Sequence, residues 1–438
     1  MLSFLGAILI GTVLLMLPIS AADGNPTSFI DAFFTATTST CVTGLVVVPT
    51  VSHWSLFGHA VILLLIQIGG LGIITIMSCF AFFLHKKMGL TDRLLLQDAF
   101  NLNTLSGLSS FVKKVVAGTF AIEGLGALLY MAVFVPQFGI KGIWISVFNA
   151  VSAFCNAGID IVSENSLCNY ATNPIINIVT SFLIIMGGVG FIVWWDVVRV
   201  FKERKNKKIK LFRSLTLHSK IALTTTAFLI ISGAVGFFIF EYSNPLTIKD
   251  YSLFDKIQVA LFQSITTRTA GFASVPQENL STGSALVSLI LMFLGGSPVG
   301  TAGGIKTVTI TVLLASAMAS VKNENNVSIF NRTISPKAIS KAVAVCVTSF
   351  FIMLLSTLLL TAVTNAPLID ILYETVSATA TVGLTRNLTA FLSTAGKIII
   401  IFTMFFGRVG PISLAVALNL KKDNKNIIKN PTEDISIG

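Results

Sequence analysis

Residues 41–45 read CVTGL, 155–159 read CNAGI, 268–272 read RTAGF and 380–384 read ATVGL. Each stretch ends on a glycine followed by an apolar residue. The glycines, Gly44, Gly158, Gly271 and Gly383, are separated by 114, 113 and 112 residues. A single TxG in an apolar chain is commonly a helix-packing or kink position. Four copies at a near-constant period point to internal repeats.

The surroundings repeat as well. Ahead of the four stretches lie FIDAFFTATT (29–38), WISVFNAVSAF (144–154), FDKIQVALFQS (254–264) and LIDILYETVSA (368–378). Each is too short to cross a bilayer and has the length of a re-entrant half-helix. A second glycine cluster follows 24 to 29 residues after each glycine: IQIGGLG (66–72), IIMGGVG (184–190), FLGGSPVG (293–300) and FFGRVG (405–410).

Composition sets the environment. Of 438 residues, 54% are apolar and 11% charged, and mean hydropathy is +0.85. Soluble domains carry about 25% charged residues, so the chain is expected to be an integral membrane protein. Eight apolar runs reach spanning length, near 2–18, 56–84, 112–135, 174–200, 219–241, 284–319, 338–364 and 395–419. The first lacks the basic n-region of a signal peptide and belongs to a repeat, so it is expected to remain uncleaved. Every unit then reads as span, half-helix, polar loop, span.

Two spans per unit give all four units the same orientation, which places them around an axis along the membrane normal. Four half-helices then meet at the centre, and their irregular loops line it, the setting in which such backbone is tolerated at membrane depth. A filter for a dehydrated cation needs oxygens in place of water. Successive carbonyls of Val42, Thr43, Gly44; Asn156, Ala157, Gly158; Thr269, Ala270, Gly271; and Thr381, Val382, Gly383 are the expected ligands. Half-helix C-termini add negative potential there.

The net charge of +11 is unevenly placed. Arg199, Lys202, Arg204, Lys205, Lys207, Lys208, Lys210, Arg213 and Lys220 crowd one loop, Lys86, Lys87, Arg93, Lys113 and Lys114 another, and Lys421, Lys422, Lys425 and Lys429 the tail. All fall on one side if the spans alternate, so both termini are expected in the cytoplasm. Contact with anionic lipid accounts for such charge, and a docking surface for a cytoplasmic partner is the sharper alternative. Nucleic acid is not expected. The five cysteines form no metal spacing; Cys155 and Cys168 would share one side, leaving a disulfide open.

Two features break the fourfold pattern. The third unit's second span contains Gly295, Gly296, Ser297, Pro298, Gly300, Thr301, Ala302, Gly303, Gly304 and Lys306. Proline removes a helix hydrogen bond and glycines weaken what remains. This span is expected to open into an irregular loop just cytoplasmic of the filter, a movable gate, or else to be a packed kink. Arg408 sits at matching depth in the last unit. It either donates to that loop's carbonyls, repels cations, or pairs with a carboxylate such as Glu123 or Asp196. Lys306 is equally open.

These loops, the IQIGGLG segment, the broken GGSPVGTAGGIK span and the FFGRVGP span resemble the Trk/Ktr/HKT potassium transporters, over nearly the whole chain, and most of all the membrane subunits of bacterial Ktr systems. The resemblance implies an all-α polytopic membrane protein of four tandem M1-P-M2 units in pseudo-fourfold arrangement, with eight transmembrane helices and four pore half-helices. Repeat boundaries are expected at 1–90, 91–210, 211–325 and 326–420, with a cytoplasmic tail at 421–438. It implies a homodimer, a pore in each protomer, a cytoplasmic ring of RCK-domain subunits binding ATP or ADP, K⁺ as the transported ion, Na⁺ as an activator and no organic cofactor. It carries the filter role to the four glycines, the gate to 295–307 and a pore-facing arginine to Arg408. Gly44 accords with K⁺ preference in this family. Cys41 and Cys155 depart from the Thr or Asn expected at those loop positions.

A Na⁺-selective or Na⁺/K⁺-permeable relative is the alternative transporter, since carbonyl filters do not declare selectivity from sequence. A membrane enzyme is disfavoured. The four histidines, His53, His59, His85 and His218, lie at loops or span ends, and no HExxH, paired-carboxylate or GxxxxGK[ST] pattern occurs. A mere scaffold leaves the glycine-broken third span without a reason.

Overall fold

A computed structural model describes residues 2–72, 108–206, 211–324 and 326–410. The first helices of the four units are α1 (Leu2–Met16), α4 (Leu108–Phe138), α8 (Leu217–Glu241) and α12 (Pro336–Val363). The half-helices are α2 (Phe29–Thr40), α5 (Lys141–Cys155), α9 (Leu253–Thr266) and α13 (Leu368–Ala380). Returning helices are α3 (Leu56–Leu71), α6 (Pro174–Val189) continued by α7 (Phe191–Asn206), α10 (Thr282–Phe293) continued by α11 (Thr307–Val321), and α14 (Thr394–Val409). The repeat boundaries expected near 90, 210, 325 and 420 fall on or beside residues outside those described.

Local sequence sets the element ends. Ser55, Asn173, Ser281 and Ser393 each stand just ahead of a returning helix, and their side chains accept from its first free amides. Ser28 and Ser252 cap α2 and α9 in the same way. The last turns of all four half-helices are buried, which brings their negative C-terminal ends together at the centre.

An apolar run at 174–200 was expected to cross as one span, and the fold shows it bent; the continuations of the runs at 56–84 and 395–419 lie outside the described residues. The described part of α3 ends at Gly72 (φ +82°), α6 at Gly190 (φ +96°) and α14 at Gly410 (φ +85°), conformations that suit glycine. At Gly190 the chain bends by 94° into α7. Among the described residues three helices, Ser110–Phe138, Leu217–Glu241 and Pro336–Val363, reach spanning length alone, and the bent pair adds one broken span. Hydropathy could not show this, because the apolar run continues through each glycine.

One glycine of each second cluster explains the cluster. A methyl at Gly69, Gly187 or Gly407 would stand closer than 3.0 Å to a carbonyl oxygen, of Thr40, Phe154 or Thr379 respectively. Each of these residues lies four before its own unit's filter glycine. The returning helix thus rests directly on the end of the half-helix. In the third unit this contact is replaced: Gly295 abuts Gly303 instead.

Cross-links between neighbouring units close the ring. The Ser52 hydroxyl donates to Glu164 (2.9 Å), Leu167 N–H to Ala273 O (3.0 Å), Arg386 to Gln277 O (2.8 Å), and Lys397 pairs with Asp31 at 2.6 Å. The last joins unit four to unit one. Cys155 and Cys168 are free thiols, so the disulfide left open above does not form.

Candidate ion pathway

The four loops share one backbone solution. Val42, Asn156, Thr269 and Thr381 hold φ of 55°, 58°, 65° and 51°, and the glycines two residues on hold 96°, 66°, 85° and 98°. The residue between each pair is not in that region. Alternating handedness of this kind turns successive carbonyls to the same side instead of to opposite sides, as they lie in a strand. A β-branched Val or Thr at positive φ is rare. Such strain persists where surrounding structure over-determines it and clusters at functional sites.

Amides point the other way. Thr43 N–H donates to Thr38 O, Ala157 N–H to Ser152 O and Val382 N–H to Ser377 O, all at 2.8 Å. Gly44 N–H reaches the Thr38 hydroxyl and Gly383 N–H the Ser377 hydroxyl, each at 3.0 Å. The third loop is offset: Ala270 N–H donates one position closer, to Thr266 O at 2.9 Å. Among the described residues no hydrogen bond reaches the carbonyls of 42–44, 156–158, 269–271 or 381–383. Buried carbonyls are nearly always paired, so a converging unpaired set is suited to an external ligand. The buried hydroxyls of Thr40, Thr43, Thr379 and Thr381 likewise find no protein partner.

Ring order follows from the glycines. A methyl on Gly44 would strike the carbonyl of Ala157, on Gly158 that of Ala270, on Gly271 that of Val382, and on Gly383 that of Thr43, each closer than 3.0 Å. Each unit's glycine is seated on the next unit's carbonyl, in one rotational sense. Cys41 and Cys155 leave the ligand set unchanged. Cys155 Sγ lies against Gly70 and donates to Gln67 Oε1 (3.7 Å), away from the ring.

On one side of the ring lies a cavity of about 430 Å³, lined by Gly44, Gly158, Gly271 and Gly383 and by three carboxylates, Asp160, Glu164 and Glu278, with no basic side chain. Burial pushes the Asp160 carboxyl up to about 6. On the other side a cavity of about 220 Å³ is lined by Thr379, Ala380, 303–306 and Arg408.

The third returning span does open, between Phe293 and Thr307. Its segment is largely buried and bonded to units two, three and four. Ser297 N–H donates to Gly188 O (2.8 Å), Thr301 N–H to Gly187 O (3.1 Å) and the Thr301 hydroxyl to Phe154 O (3.0 Å). Gly303 N–H donates to the Thr269 hydroxyl (3.0 Å), and Gly303 leaves no room for a methyl against Thr381 and the Ala380 carbonyl. Gly296 and Gly300 press on Gly188 O and Gly187 O, Gly304 on Gly295, and Ala302 O accepts from Lys306 Nζ. Arg408 donates to Thr301 O and to Gly69 O, both at 2.6 Å. Of the three readings of Arg408, donation to loop carbonyls is the observed one. Glu123 instead accepts from Gln67 (3.2 Å), and Asp196 pairs with Arg199 (2.6 Å). The segment thus caps the end of the ring opposite the acidic cavity.

Three contributors escaped sequence reasoning: the Thr38 and Ser377 hydroxyls, the acidic cavity, and the Arg268 side chain. For the hydroxyls a signal existed, since both stand six residues before a filter glycine.

Residues 3–429 match the family described as TrkH, cation transport protein. The chain is 42% identical to Ktr system potassium uptake protein B of Bacillus subtilis, over 99% of this chain and 95% of that one. It is 37% identical to the potassium/sodium uptake protein NtpJ of Enterococcus hirae, over 98% and 94%. The crystal structure of the potassium transporter TrkH from Vibrio parahaemolyticus superposes with a TM-score of 0.74 at 16% identity, covering 95% of this chain and 84% of that one, a likeness of fold. These are transporters, and the membrane-enzyme alternative falls with them. By sequence and by fold, the chain belongs to the TrkH family of cation transport proteins, multi-pass proteins of the membrane.

Proposed function

We propose that this chain is the K⁺-translocating subunit of a bacterial potassium uptake system. One observation carries the reading: unpaired carbonyls of four loops converge where each glycine is seated on the neighbouring loop's carbonyl. A cation that sheds its water needs this set of ligands, and backbone dipoles supply it without a buried charge. The acidic outer cavity raises local cation concentration. Filter residues are 42–44, 156–158, 269–271 and 381–383. The segment 295–306, with Arg408, is the gate, and it must leave the inner cavity before an ion passes.

The similar proteins carry the names of potassium and potassium/sodium uptake proteins, which supports K⁺ as cargo. The second name keeps Na⁺/K⁺ permeability as the alternative. A homodimer with a cytoplasmic RCK-type ring binding ATP or ADP fits the name of a Ktr system, which implies further subunits. Basic loops at 199–220 suit that face and support a reading with both termini in the cytoplasm of a bacterial plasma membrane. Na⁺ then acts as an activator. The test is ion flux into proteoliposomes: Rb⁺ influx is expected to exceed Na⁺ influx at equal gradients. Equal fluxes would establish the alternative, and no flux of either would end the transport reading.

A further inference from the structure

The third unit differs from the others at one more position. Three residues before the filter glycine stand Cys41, Cys155 and Ala380 in units one, two and four, but Arg268 in unit three. Arg268 is buried, at 6% exposure, and among the described residues no carboxylate pairs with it. Its guanidinium donates to Gly295 O at 3.0 Å and to Thr226 O at 3.3 Å. Gly295 opens the intramembrane segment, and Thr226 belongs to α8.

Unit three is also where the returning helix gives up its seat on the half-helix. In the other units a glycine lies directly on the carbonyl four before the filter glycine, whereas Gly295 does not. The guanidinium bridges the space that this leaves. Beside it is a cavity of about 20 Å³ whose aliphatic walls, Ile184, Ile185, Val189, Ile230 and Ile265, are interrupted by Arg268 and Thr226. Arg268 Nε and the Thr226 hydroxyl have no protein partner, and the space is that of one bridging water. The next residue, Thr269, accepts from Gly303 N–H at 3.0 Å. One dipeptide of the filter loop therefore holds the intramembrane segment at both ends.

Resting on the gate and filter roles proposed above, we propose that Arg268 and Thr269 clamp the segment shut, and that its release loosens the third quarter of the filter. Gate and filter are then linked. An ion in the filter favours the clamped segment, and release of the segment alters ion preference, by the reciprocity of coupled equilibria. Arg268 is a positioning residue. It acts through Gly295 O and contacts no ion. A lysine keeps the charge but not the fork that reaches two carbonyls, which separates clamp from charge.

The test is Rb⁺ and Na⁺ influx into proteoliposomes of the full chain carrying R268K, T269A or T269S, with and without deletion of 300–304. Hydrogen bonds to a charged donor contribute enough for about a tenfold change. R268K and T269A are expected to raise Rb⁺ influx, R268K by about that factor, and to lower the Rb⁺/Na⁺ ratio, while T269S, which keeps the hydroxyl that accepts from Gly303 N–H, shifts both less than T269A. In the deletion background neither substitution should change influx further, because the segment they hold is gone. Full effects of R268K or T269A in a deletion that itself raises influx would overturn the clamp alone. So would a folded R268K with parental influx and ratio, and should R268K not fold, the T269A/T269S pair decides in its place. A deletion that leaves influx unchanged would remove the gate, and the clamp with it.

Discussion

Gly383→Ala tests the filter geometry across a repeat boundary. Gly383 holds φ +98°, beyond the left-handed helical region, where a side chain costs on the order of 1–3 kcal/mol. Its new methyl would also stand closer than 3.0 Å to Thr43 O, an oxygen of unit one. The loop is closed on all sides, so the strain resolves by rotating that carbonyl or by moving loop four outward. Either way one oxygen leaves the ring. Taking about 2 kcal/mol as the lost ion stabilisation, apparent K⁺ affinity should fall about thirtyfold, since about 1.4 kcal/mol is tenfold. The assay is Rb⁺ influx against external K⁺, with folded protein measured in parallel. Gly6→Ala is the control, because nothing lies within 4 Å of its added methyl. A folded Gly383→Ala protein whose K⁺ affinity and Rb⁺/Na⁺ ratio match the parent would refute the reasoning.

Deleting 300–304 removes the part of the segment that Thr301 and Gly303 tie to units two, three and four, and Rb⁺ influx without any regulatory partner should rise. A fall in a folded protein would instead mark the segment as a structural brace. Asp160 sits at the outer mouth with its carboxyl raised to about 6. Lowering external pH through that value should discharge it and raise the K⁺ concentration for half-maximal uptake. Asp160→Asn should show the weaker affinity at both pH values; a pH response equal to the parent's would assign the effect elsewhere. The sign for stability is opposite. The charged form is the one the fold disfavours, so the stabilising contribution of Asp160 is full below pH 3.8 and lost as pH rises through about 6. Lys397→Met breaks the 2.6 Å pair with Asp31, whose side chains are 18% and 22% exposed. It should lower thermal stability by about 1 kcal/mol with ion preference intact, and an altered Rb⁺/Na⁺ ratio would show that this closure reaches the filter.

The four glycine loops were legible because their geometry is written in glycines. Only glycine both holds φ near +98° and lets a neighbouring carbonyl pass, so the period of Gly44, Gly158, Gly271 and Gly383 survives where flanking residues diverge. The opened third span was legible for a similar reason, since Pro298 and its glycines weaken a helix wherever it packs. The bend at Gly190 was not. It stands in an apolar run long enough to span, and hydropathy does not register a turn of the backbone. Positive φ at Val42 was invisible, because its local preference opposes it and only tertiary packing enforces it. Pairing of Asp31 with Lys397 joins residues 366 apart in sequence, a separation at which no local pattern speaks. Arg268 lay hidden inside a motif whose glycine drew the attention, and its two carbonyl partners come from α8 and the opened segment.

The central claim is that four carbonyl loops around one axis select K⁺ for uptake. Growth of cells deprived of their own K⁺ uptake systems, on limiting K⁺ and expressing this chain with a regulatory ring, tests it most directly. The account predicts growth restored in step with internal K⁺, and lost in Gly383→Ala. Absence of rescue by a correctly inserted protein, or rescue that tracks Na⁺ loading with no rise in internal K⁺, would contradict it.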